Sequence, residues 1–142
     1  MLGGLINPGM PAGPSEAIIL CDESADPDNT VLDVLNEAEH GPDSAGLLVT
    51  HDEKLARYVH QKLGEAIATM PEPQRGYLTE NMQCYSGVIL TRSLEESIEF
   101  CNLYAPEHIL VKTRMPEQLL RQLTNAGEIL LGENTPSSLG NY

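Results

Sequence analysis

Short apolar runs alternate with amphipathic stretches five times along this chain. Ala17-Ile18-Ile19-Leu20-Cys21 has no polar position at all, the pattern of a strand buried on both faces. Gly46-Leu47-Leu48-Val49-Thr50, Gly87-Val88-Ile89-Leu90-Thr91, Ile109-Leu110-Val111-Lys112 and Ile129-Leu130-Leu131 repeat it. Between these runs the period lengthens to that of a helix. Asp26-Pro27 carries cap and first-turn chemistry, and the helix it opens gathers Val31, Leu32, Val34, Leu35 and Ala38 before stopping near His40-Gly41-Pro42. Asp52 caps a longer helix whose apolar side runs Leu55, Val59, Leu63, Ile67 and ends at Met70-Pro71. A further helix is predicted over 73–84 despite Gly76. Ser93 and Glu96 form a capping box for a helix that runs through Ile98 and Leu103 to Pro106. Met115-Pro116-Glu117 opens a last helix, ending near Asn125-Ala126-Gly127.

Five strand–helix alternations predict an α/β fold, a parallel sheet of about five strands with helices on both faces. The shape is Rossmann-like but incomplete, since neither G-x-G-x-x-G nor a Walker A sequence is present. Residues 1–15 are a Gly- and Pro-rich lead-in, 16–132 the α/β domain, and 133–142 a C-terminal loop.

Composition narrows the functions open to such a fold. The chain has 142 residues, enough for one domain with a core, and no Trp and one Phe, so that core is aliphatic. Its net charge of −13 would repel phosphate backbones and anionic lipid, which argues against nucleic-acid or membrane partners. No apolar run reaches membrane-spanning length, and the first residues lack the basic region of a signal peptide. Cys21, Cys84 and Cys101 have no C-x-x-C spacing and lie in apolar stretches, as buried free thiols of a cytoplasmic protein would.

Two segments carry candidate chemistry. Glu37-Ala38-Glu39-His40-Gly41-Pro42-Asp43-Ser44 and Tyr104-Ala105-Pro106-Glu107-His108 each set a histidine beside carboxylates at the end of a helix. Both precede a strand, so in a parallel sheet both lie on its amino edge. Glu37 and His40, three apart on a helix, suit either a shared metal ion or a solvated helix end with a dipole-favoured histidine. Glu107 and His108 suit either acid–base work or, again, a solvated helix end. Cys101 reads as a buried helical thiol rather than a nucleophile.

Four segments then stand in one order: Ala12-Gly13-Pro14-Ser15-Glu16, Ala38-Glu39-His40-Gly41-Pro42-Asp43-Ser44, Tyr104-Ala105-Pro106-Glu107-His108, and Thr135-Pro136 followed by Gly140-Asn141-Tyr142. Together they closely resemble successive signatures of the histidinol dehydrogenase family, from Met10 to Tyr142. The resemblance implies a zinc-assisted, NAD-dependent oxidation of L-histidinol to L-histidine in two steps. It implies that Ser15, His108 and Asn141 contact the substrate and that positions 37, 40 and 141 bind Zn2+. It further implies that Glu107 activates water and that His108 takes protons. This sequence has Glu37 where the family has a zinc-binding Gln, and Asn141 where it has a zinc-binding Asp, so amide and carboxylate are exchanged. Family members are several times longer, and the chain resembles the second half of their main domain, without the part that makes most NAD contacts. The expectations are a weakened zinc site, a small amino alcohol as ligand, little or no activity alone, and self-association as a dimer. A non-catalytic binding or assembly module derived from the family is the alternative.

Overall fold

A computed structural model of the chain describes residues 13–135. Five strands form one parallel sheet: β1 (Glu16–Cys21), β2 (Ala45–Thr50), β3 (Gly87–Leu90), β4 (His108–Lys112) and β5 (Glu128–Leu131), in the order β3-β2-β1-β4-β5. Helices α1 (Pro27–Ala38), α2 (Glu53–Thr69), α3 (Gln74–Cys84) and α4 (Leu94–Tyr104) join them. The α/β architecture read from the sequence is the one observed.

The central strand explains its own sequence. Ile18, Ile19 and Leu20 are completely buried because β1 has a strand on each side and a packed layer on each face. On one face Ile19, Cys21 and Leu48 meet Val31, Val34, Leu55, Val59, Leu63 and Leu78, the inner sides of α1, α2 and α3. On the other face Ile18, Leu20, Val49, Ile109 and Val111 meet Ile98 and Cys101 of α4 together with Leu119 and Leu123. Each such aliphatic side chain contributes about 2–5 kcal/mol against truncation to Ala. Asp26, Asp52 and Ser93 cap their helices, as their positions predicted. No described helix is long and apolar enough to cross a membrane.

Several expectations are corrected. Leu32 does not share the buried face of α1 but is 62% exposed, and Leu103 on α4 is exposed too. The capping box is only half formed: Ser93 accepts from the N–H of Glu96, but Glu96 accepts from the N–H of Arg92, one residue before the cap. Cys21, Cys84 and Cys101 are all free, yet Cys84 is exposed because it ends a helix with a weak apolar face. The helix expected over 115–127 shrinks to one short 3₁₀ turn, Pro116–Gln118. Asn102 on α4 uses its side-chain amide to bond the Gln122 carbonyl at 2.7 Å and the Thr124 N–H at 2.8 Å. Those backbone groups are thereby withdrawn from a helix.

Candidate functional site

Parallel strands bring their first residues to one edge of the sheet. Register places Ala17 beside His108 and His108 beside Glu128, so Ser15 and Glu16, Glu107 and His108, and Gly127 and Glu128 lie side by side. The segment before β2 reaches the same edge, since the N–H of Ala45 bonds the Ser15 carbonyl at 2.9 Å. His108 also shares a side of the sheet with Ala17, Ile19 and Cys21, because paired residues of parallel strands point the same way. That side is covered by α1, whose last turn carries Glu37.

A string of contacts links most of the expected residues. Ser15 Oγ donates to Glu37 Oε2 at 3.4 Å. Glu16 accepts from the Glu107 N–H at 3.3 Å and from the Tyr104 hydroxyl at 3.4 Å. Burial first, and then the Glu16 carboxylate beside it, push the Tyr104 phenol above its ordinary pKa. His108 Nδ1 lies 3.0 Å from Glu128 Oε2, and its Nε2 lies 3.6 Å from Glu107 Oε1.

The backbone before Glu107 is shaped for this. Ala105 takes the left-handed conformation, φ 54°, at the C-terminus of α4, and its N–H closes onto the Cys101 carbonyl at 2.9 Å. Pro106 then prevents the helix from continuing, and the chain turns directly into Glu107 and β4.

The other histidine segment is held by a residue that its own sequence does not reveal. Asn81 of α3 is fully buried and donates to the Gly41 carbonyl at 3.1 Å and the Ser44 carbonyl at 2.6 Å. Ser44 Oγ in turn accepts from the Ser15 N–H at 3.2 Å. One amide thus fixes both the turn after His40 and the backbone of Ser15. His40 itself departs from the shared-face expectation. α1 ends at Ala38, so His40 lies beyond it, and its Nδ1 sits 3.3 Å from the Glu37 carbonyl rather than from the carboxylate. His40 is exposed and lines a cleft with Glu39, Gly41, Gln74 and Tyr77.

The fit to a metal ion is partial. Glu37 is only 2% exposed, and among the described residues no Lys, Arg or His forms an ion pair with its carboxylate. A carboxylate so buried is a natural cation ligand, since leaving it unpaired is costly. Among the described residues, however, no three His, Cys, Asp or Glu side chains converge to hold a metal. Glu37 and His40 supply two donors, and Asn141 lies outside the described residues. The buried thiols offer no nucleophile here: burial pushes both Cys21 and Cys101 up to about 12.

Neither Glu128 nor Asn81 stands in any of the four motifs, and Glu16 stands in the first of them without an assigned role. Glu128 had a signal, an acid directly before an apolar strand whose opening residue it proves to be.

Comparison with known proteins bears on this edge. The family model described as histidinol dehydrogenase matches residues 1–142. A histidinol dehydrogenase of Synechocystis is 48% identical over the whole chain, which covers 33% of that protein. A histidinol dehydrogenase homolog of Colwellia psychrerythraea is 45% identical, again over the whole chain and 32% of the relative. The crystal structure of histidinol dehydrogenase from Elizabethkingia anophelis superposes with a TM-score of 0.81 at 33% identity, over 94% of this chain and 30% of that one. The chain therefore spans about a third of the length of the relatives it matches.

Proposed function

From the premise that this chain belongs to the histidinol dehydrogenase family, we propose that its amino-edge cluster is the metal- and proton-handling part of a site that oxidises an amino alcohol, L-histidinol, with NAD. The observation that carries this reading is the buried Glu37 carboxylate, which has no described counter-cation, lies against Ser15 and shares a side of the sheet with His108. Glu37, His40 and Asn141 would hold Zn2+.

Bound zinc would hold the amino alcohol and polarise its oxygen. Ser15, tied to both Glu37 and the Ser44 hydroxyl, contacts the substrate. Oxidation of an alcohol to an acid has two steps, each of which releases a proton as hydride leaves for NAD. His108 takes those protons. Glu107, exposed and 3.6 Å from His108 Nε2, activates the water that must add at the aldehyde level. The protein functions in the cytoplasm, consistent with its free thiols, and a dimer is its expected assembly.

Because the chain spans about a third of its relatives, the 142 residues alone should not turn over. NADH formation from histidinol and NAD by this chain alone is expected at background. A rate near that of full-length relatives would overturn this.

A further inference from the structure

We propose that Glu128 is the positioning residue of His108: it accepts the Nδ1–H of the imidazole and so leaves the Nε2 lone pair free on the side of Glu107. The proposal rests on the reading of His108 as the proton acceptor and adds to it the group that sets the tautomer.

A neutral imidazole has one N–H and must give it to one neighbour. His108 has a carboxylate on each side. Glu128 Oε2 is 3.0 Å from Nδ1, a normal hydrogen bond. Glu107 Oε1 is 3.6 Å from Nε2, too far for one. The proton therefore belongs on Nδ1, and Nε2 is the basic nitrogen. Both side chains of the pair are about three-quarters buried, His108 at 23% and Glu128 at 27% exposure, so water competes poorly for the bond. When Nε2 takes a proton, the imidazolium lies between two carboxylates and its charge is met on both sides. A carboxylate that fixes and supports a histidine in this way is a recurring arrangement in acid–base sites.

The backbone is built to hold the pair. His108 and Glu128 are register partners on adjacent parallel strands, so their side chains rise together on the α1 side. The N–H of Glu128 bonds the Glu107 carbonyl at 2.8 Å, and the N–H of Gly127 bonds that of Pro106 at 3.1 Å. A side chain at 127 would block this approach, since a Cβ there would stand 2.8 Å from the Glu107 carbonyl oxygen.

Long-range 1H–15N correlation spectra of the imidazoles, taken at about pH 8.5 where histidine is ordinarily neutral, test the assignment on the chain itself. Wild type is expected to show His108 protonated at Nδ1 and unprotonated at Nε2. E128A should exchange the two shifts, because Glu107 becomes the only neighbouring carboxylate. E128Q should keep the wild-type pattern, because its amide oxygen still accepts. Unchanged His51 and His60 signals report that the variants are folded. Protonation at Nε2 in wild type, or a pattern in folded E128A identical to wild type, overturns the proposal. Should E128A fail to fold, the wild-type and E128Q spectra decide alone. None of these spectra depends on zinc or histidinol, so failure of the proposed function would leave them unchanged, and their failure would leave the metal site untested.

Discussion

Gly127 and Glu107 are packed so closely that no side chain fits between them: a Cβ on Gly127 would sit 2.8 Å from the Glu107 carbonyl oxygen. This approach lets β5 pair with β4 from its first residue and sets Glu128 beside His108. Gly127→Ala should therefore cost about 1–3 kcal/mol, the usual penalty of overpacking where backbone must shift. Denaturant unfolding of the two proteins would measure it, and an unchanged midpoint would show that the strand entry yields freely.

Ala105 makes the opposite prediction. It is exposed and left-handed, a conformation costing an L-residue about 1–2 kcal/mol. Glycine removes that cost but loses more chain entropy on folding. Ala105→Gly should stabilise the protein by up to about 1 kcal/mol, read from the same unfolding curves. A loss of stability would mean that the Ala105 methyl packs against a neighbour.

Asp22 links the end of β1 to the end of β4 and sets an acid dependence. Burial alone would raise its carboxyl, but hydrogen bonds from the Ser24 side chain and from the Arg114 and Ser24 backbone, aided by the Arg114 charge, outweigh this and lower it. A carboxyl lowered in the folded state adds stability above its unfolded pKa, near 4. That stability disappears as pH falls through the folded value. The gap in thermal midpoint between wild type and Asp22→Asn should thus be constant near neutrality and shrink below about pH 4. A gap that persists at low pH would contradict this.

The strands were legible because each is a short apolar run bounded by Gly, Pro or Asp, and the caps because Asp26, Asp52 and Ser93 stand one position before an amphipathic period. The stretch after Met115 misled for a physical reason. Leu119, Leu120 and Leu123 imitate a helical face, but Leu120 is exposed and Asn102 takes the backbone groups a helix would need. That Ser15, Glu107 and His108 come together at the amino edge was legible from topology. The spacing of Glu37 and His40 suggested a shared helical face that does not exist, because α1 ends between them. Asn81 and Glu128 act through register and long-range packing, forty and twenty residues from the groups they hold. Local pattern places Glu128 at the start of a strand but names neither its partner nor that of Asn81.

We propose Glu37 and His40, with Asn141, as the metal-holding part of a substrate site. A calorimetric zinc titration of the metal-free chain, with and without histidinol, tests it most directly. Zinc binding strengthened by histidinol is the expected result, with the effect lost in Glu37→Ala. Binding that is absent, or indifferent to both histidinol and Glu37, would show that these residues hold no such metal.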